Sequence, residues 1–445
     1  MSAPRRLALR GDLLDFHAEP ALDDPASPAV RWRPAHWVLV QEGRIVAVQP
    51  QDPPEGWPRA DHAGCLVLPG FIDTHVHSAQ LDVIGSWGTQ LLDWLDTHTF
   101  PAEQRMADPA HAARIAATFL DGLLAVGTTS ACVFPTVHAV SVETLFEAAL
   151  ARGMRLVAGK VLMDRHAPPA LCDAADPAVA ERTCRELIER WHRRGRLAYA
   201  VTPRFAPTSS DAQLAMAGRM LASAQGLYMQ THVAENLQEV QWVRELFPQA
   251  RSYLDVYARH GLLCERAVLA HGIWLDEADR QVLRAHGAHL AHCPSSNLFL
   301  GSGLLDWAAA RASGVPVSLA SDVGGGTSVS MRRTMIDAYK VQAMGGRRVS
   351  AWALLHAATR GAARALRLDD EIGTLEPGRL ADLCVWDWAA EPVARRRQAV
   401  ARDLHERVFA WLTLAGESEL REVRVAGQLR WARPADPPAG GSGAR

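Results

Sequence analysis

Lysine is almost missing from this chain of 445 residues. It stands only at Lys160 and Lys340, so arginine supplies 45 of the 47 basic side chains. Against 49 acidic residues the formal net charge is −2, and the arginines are scattered rather than clustered. No polyanion footprint follows, so nucleic acid is excluded as a partner. The arginine bias reads as a property of a GC-rich coding sequence, not as phosphate recognition. The seven cysteines form no Cys-x-x-Cys pair, and most sit among apolar neighbours, as in Ala131-Cys132-Val133 and Leu383-Cys384-Val385. They read as buried free thiols in a reducing compartment. No stretch approaches the ~18 apolar residues of a membrane span, and Arg10 and Asp12 break the N-terminal segment before a secretory h-region forms. A cytoplasmic protein with no membrane partner is expected. No internal repeat is visible.

What is present is the composition of a globular enzyme, 48% hydrophobic and 22% charged, long enough for a large barrel and a second unit. The middle of the chain alternates short apolar runs with amphipathic stretches such as 112–125 and 211–224, which argues for parallel β/α units. Eight runs read as strands: 70–76, 128–134, 155–163, 197–202, 227–231, 267–270, 288–291 and 316–320. The expected fold is α/β, a (β/α)₈ TIM barrel with a small β-sandwich built from both termini. Segments 37–40 and 44–48 flank a Gly43 turn, 381–386 reads as a strand, and 422–431 reads as a hairpin turning at Ala426-Gly427. The expected units are 1–68 and 373–433 for the two halves of the sandwich and 69–372 for the barrel. Residues 434–445 have linker composition and are expected to be disordered.

The chemistry-bearing residues follow the strands. The first strand ends in Thr74-His75-Val76-His77, the fourth in Arg204-Phe205, the fifth in His232-Val-Ala-Glu235, the sixth in His271 and the eighth in Ser321-Asp322. A barrel brings such C-terminal strand ends together. Residues i and i+2 of a strand share a face, so His75 and His77 can grip one ion. Zn²⁺ held by His75, His77, His232 and Asp322 would lower the pKa of bound water from ~15.7 toward ~7. Asp322 can then take the water proton, and Glu235 suits a proton shuttle. His271 either completes the shell or hydrogen-bonds the hydroxide. The fourth strand end carries Arg204 and no bridging lysine, so one metal is favoured over two. The string His17-Ala18-Glu19 mimics half the signature of zinc deaminases of another fold, but no Pro-Cys-x-x-Cys follows, so the match is accidental.

From about residue 65 to 435 the chain resembles the amidohydrolase superfamily, through Pro69-Gly-Phe-Ile-Asp-Thr-His-Val-His77, and within it the guanine deaminase family. The longer signals are His77-Ser-Ala-Gln80, Leu91-Leu-Asp-Trp-Leu95 with Thr99-Phe-Pro-Ala-Glu103, and Val201-Thr-Pro-Arg-Phe205. Others are His232-Val-Ala-Glu-Asn236 with Glu239-Val240, His292-Cys-Pro-Ser-Ser-Asn297, and Ser321-Asp-Val-Gly-Gly-Gly-Thr-Ser-Val-Ser-Met331. The resemblance implies one Zn²⁺ per chain, a homodimer, and hydrolysis of guanine to xanthine and ammonia. It implies catalysis by Glu235, Asp322 and His271, with substrate contacts from Gln80, Arg204, Phe205, His232, Glu235 and Asp322. An Arg fork matches guanine's O6 and N7 acceptors, and Gln80 can both donate and accept. The alternatives are a related hydrolase acting on a pterin, an oxidised guanine or a triazine, and a catalytically silent assembly protein. The complete ligand set speaks against the last of these.

Overall fold

The structure, a computed structural model, describes residues 6–88 and 90–434. Eight parallel strands form the barrel: β5 (Phe71–His77), β6 (Thr128–Phe134), β7 (Arg155–Ala158), β9 (Leu197–Pro203), β10 (Tyr228–Val233), β11 (Ala267–His271), β12 (His289–His292) and β13 (Val317–Leu319). They pair in the order β13-β12-β11-β10-β9-β7-β6-β5, and β8 (Val161–Leu162) pairs with β9 off that path. Closure between β5 and β13 falls to the segment just beyond β13. The Asp322 N–H donates to His75 O at 2.9 Å and the His77 N–H donates to Val323 O at 2.9 Å. Two of the expected site residues are thus also where the barrel shuts.

The run expected as one strand over 155–163 is split. A Cβ on Gly159 would lie 1.8 Å from Ala200 O, so the chain passes directly against β9 there. The Lys160 N–H bonds Tyr199 Oη at 3.2 Å instead of continuing the ladder. Outside the barrel, the helix Pro109–Leu124 starts at Asp108, whose side chain accepts the His111 N–H. It buries Ala112, Ile115, Ala116, Phe119, Leu120 and Leu123, the 3–4 spacing of a one-sided apolar stripe.

The termini build a second, seven-stranded mixed sheet in the order β16-β15-β14-β4-β1-β2-β3. Its strands are β1 (Arg6–Phe16), β2 (Val30–Gln41), β3 (Arg44–Gln49), β4 (Arg59–Pro69), β14 (Leu383–Trp386), β15 (Leu420–Val425) and β16 (Gln428–Ala432). The expected hairpin turns at Ala426 (φ 47°) and Gly427 (φ 74°), the paired positive φ of a type I′ turn. Leu9, Leu13, Val38, Val40, Val67, Leu383 and Val385 share one small core, so strands from both ends of the chain depend on each other. β1 was not expected as a strand. β4 runs through Gly70 into β5, which fixes the sheet to the barrel strand that carries His75 and His77. All seven cysteines are free and five are buried. Among the described residues no helix is long and apolar enough to cross a membrane. Of the tail expected over 434–445, all but Pro434 lies outside the described residues.

Candidate active site

The strand ends deliver their side chains inward through sharp turns. His271 and Asp322 adopt φ of 70° and 50°, and Ala234, between His232 and Glu235, has φ 49°. Non-glycine residues rarely sit there, and such strain gathers where a side chain must be aimed. The result is a buried cluster. His75 Nε2 and His77 Nε2 lie 3.2 and 3.3 Å from Asp322 Oδ1, and His77 Nε2 lies 3.1 Å from His232 Nε2. The ligand atoms of His75, His77, His232 and Asp322 all fall within 4.8 Å of one another. Phe134 packs its ring against all three imidazoles, at 4.8–5.0 Å between centroids, and closes the floor beneath them.

These four residues fit a metal ion. The His232 Nδ1–H donates to Arg204 O at 2.7 Å, which leaves the lone pair on Nε2 facing the cluster. Both ring nitrogens of His75 and Nδ1 of His77 are buried without a hydrogen-bond partner. A buried knot of unpaired polar atoms is costly, and a cation at its centre would satisfy it. Protonation agrees. Burial holds the three imidazoles below their usual range, His77 at about 4. Burial works to raise the Asp322 carboxyl, but the adjacent His75 and His77 imidazoles, 3.2 and 3.3 Å away, outweigh it and hold the carboxyl well below the usual range. Neutral imidazoles beside an ionised carboxylate are the forms that ligate a metal.

His271 bridges from the cluster toward Glu235. Its Nδ1–H donates to Asn297 Oδ1 at 2.8 Å, and its Nε2 lies 3.3 Å from Glu235 Oε2 and 3.7 Å from Asp322 Oδ2. It also falls within a second ligand-competent group with His75, Cys293 and Asp322, so both expected roles for it are within reach. Burial, and then the neighbouring Asp322 charge, push Glu235 up to about 8, against a hydrogen bond from Ser302 Oγ at 2.8 Å. Glu235 is not the carboxylate that caps the following helix. Leu237–Leu246 is capped by Asn236, and the reciprocal acid is Glu239, whose Oε2 accepts the N–H groups of Glu235 (2.9 Å) and Asn236 (3.2 Å). The Tyr253 hydroxyl donates to the other oxygen of Glu239 at 2.5 Å, and Trp274 Nε1 donates to Glu235 O at 3.2 Å. The backbone of Glu235 is gripped from both sides while its carboxyl faces the cluster.

A cleft opens above the cluster, lined by His77, Gln80, Arg204, Phe205, His232, Glu235 and Asp322 together with Leu91 and Trp94. Every expected substrate contact therefore faces one space. His75 and His271 are fully buried and do not line it. From the sequence Glu103 is only a motif position with no assigned chemistry. It is fully buried, and its carboxylate takes Arg204 Nη1 at 2.8 and 2.7 Å and Gln80 Nε2 at 3.2 Å. Gln80 Oε1 in turn accepts the Gly324 N–H at 3.2 Å. Phe100 lies beneath the Arg204 guanidinium at 5.4 Å. Gln80 and Arg204 are thus locked by one carboxylate, with Nε and Nη2 of Arg204 unpartnered among the described residues. Asn297, Ser302 and Glu239 were likewise not assigned roles from the sequence.

Residues 66–417 match the Amidohydrolase family. The chain is 40% identical to the guanine deaminase of Escherichia coli K12, over 96% of this chain and 98% of that protein. It is 42% identical to a probable guanine deaminase of Deinococcus radiodurans, over 84% of this chain and 86% of that one. The solved structure of E. coli guanine deaminase superposes with a TM-score of 0.92 at 39% identity, covering 96% of this chain and all of that one.

Proposed function

The chain belongs to the amidohydrolase family, and we propose that it hydrolyses guanine to xanthine and ammonia with one Zn²⁺ per chain. The observation that carries this reading is the placement of a buried, hydrogen-bonded carboxyl (Glu235) beside the His75–His77–His232–Asp322 cluster, under a cleft walled by Arg204 and Gln80. His75, His77, His232 and Asp322 would hold the zinc, with His271 as a fifth ligand or as a hydrogen-bonding group. When bound, the zinc supplies a nucleophile near neutral pH by lowering the pKa of water.

The chain's own groups do the rest. Arg204, its Nη1 pinned by Glu103, presents its remaining nitrogens to the O6 and N7 edge of the purine. Gln80 steadies a mixed donor and acceptor edge, and Phe205 covers the ring. Asp322 takes the proton of the attacking water as its oxygen adds to C2. Glu235 protonates N3, and protons then pass to the exocyclic nitrogen, so that the C2–N bond breaks and ammonia leaves. His271, 3.3 Å from Glu235, keeps that carboxyl aimed. The seven free thiols support a cytoplasmic setting, and the resemblance alone supports a homodimer, as parts of the same reading.

The test is the ultraviolet change on guanine turnover by the purified protein, run beside adenine, a pterin, 8-oxoguanine and an amino-triazine. Turnover of another heterocycle with guanine untouched would replace the substrate and leave the hydrolytic site standing.

A further inference from the structure

We propose that the floor of the barrel, opposite the catalytic cleft, holds a binding site for a phosphate-bearing small molecule. A cavity of about 360 Å³ opens there, walled by the N-terminal ends of β12 and β13. The helices Trp307–Ala312, Ala351–Ala357 and Arg360–Ala365 complete its sides. Arg311, Arg364 and Arg367 line it against a single acid, Glu19. Arginines that look scattered along the chain are gathered here by the fold. Arg311 donates to Pro20 O at 2.6 Å and lies 3.3 Å from Glu19. Arg367 donates to Glu265 O and Gly287 O, both at 3.1 Å. The Arg364 side chain has no hydrogen bond or ion pair among the described residues.

Two buried histidines line the same cavity with nothing to bond. His289 shares the inward row of β12 with Ala291 and Cys293, is 1% exposed, and has no partner on either ring nitrogen. His356 Nε2 is buried and unpartnered too. The floor of a barrel is ordinarily packed with apolar side chains, and buried polar atoms are ordinarily bonded. A Cβ on Gly361 would come within 2.8 Å of His356 Nδ1, so the glycine keeps that ring open. Burial and the nearby guanidinium groups push both imidazoles down to about 3, so each is neutral and offers one N–H. The unpaired Arg364 guanidinium, the spare N–H groups of Arg311 and Arg367, and the imidazole donors around one cavity suit the oxygens of a phosphate.

The inference stands apart from the deamination reading, because its readout is binding. Inorganic phosphate, ribose 5-phosphate and guanosine 5′-monophosphate are titrated calorimetrically into the full-length protein. We expect saturable binding of at least one, with Kd at or below about 1 mM. Arg364→Gln, at an exposed position whose side chain has no partner among the described residues, should weaken it at least ~10-fold while melting temperature and guanine turnover hold. Tighter binding of either ester than of phosphate identifies a phosphorylated metabolite as the ligand, and equal binding identifies free phosphate. No saturation by any of the three overturns the proposal. So does an unchanged Kd in Arg364→Gln, which would place the anion elsewhere, as in the catalytic cleft.

Discussion

Replacing Glu103 with glutamine tests whether the cleft's recognition groups are set by one buried carboxylate. Glu103 is 0% and Arg204 3% exposed, so neither charge is solvated. Three hydrogen bonds converge on the carboxylate, two from Arg204 Nη1 and one from Gln80 Nε2. Glu103→Gln keeps the shape but removes the charge and turns an NH₂ donor toward these donors. Removing one partner of a buried ion pair costs about 3–5 kcal/mol. Melting entropy of about 2.1 cal/mol/K per residue gives roughly 0.9 kcal/mol/K over 445 residues, so the melting temperature should fall about 3–5 °C. The freed guanidinium loses its aim, and a misplacement of about 1 Å can cost ~10²-fold in rate. Calorimetry, guanine kinetics and metal analysis are run together. We expect kcat/KM to drop by about 10²-fold with metal content unchanged, because Glu103 touches no proposed ligand. Glu103→Asp, which keeps the charge on a shorter arm, should fall between the two. A glutamine variant that melts and turns over like wild type would show that Arg204 is held by something else.

Three further outcomes are expected. His75→Ala or Asp322→Ala should lose metal, activity or both, and two tightly held ions per wild-type chain would contradict a single site built on four ligands. Glu235→Gln keeps size and polarity but cannot carry the proton, so metal should remain while kcat falls at least ~10²–10⁴-fold; near-normal turnover would pass the role to another group. Arg204→Lys keeps charge and loses the fork, and Arg204→Gln loses both, so kcat/KM for guanine should fall roughly 10–100-fold or more with metal content intact, as kinetics beside elemental analysis would show. A wild type that prefers adenine would remove Arg204 from guanine recognition.

What the sequence makes legible here is what local chemistry determines. All eight barrel strands read as short apolar runs because parallel strands are buried on both faces. The metal-capable residues stand out because each follows such a run directly. β1 escapes notice for a physical reason. It carries Arg6, Arg10, Asp12 and Asp15 among its apolar residues and shifts register between Gly11 and Leu13, so neither an unbroken run nor a clean alternation appears. The break at Gly159 is set by Ala200, about forty positions away, and nothing local marks it. The same divide runs through the site. His75, His77, His232, Glu235, His271 and Asp322 sit at strand ends and are visible. The groups that orient them come from elsewhere: Glu103 meets Arg204 across 101 positions, Ser302 meets Glu235 across 67 and Asn297 meets His271 across 26. A motif names the candidate site residues, while their angles and tautomers are fixed by long-range partners that only the closed barrel assembles. Substitutions at Glu103 or Ser302 should therefore change rate and affinity while leaving the metal in place. That pattern separates the orienting partners from the ligands themselves.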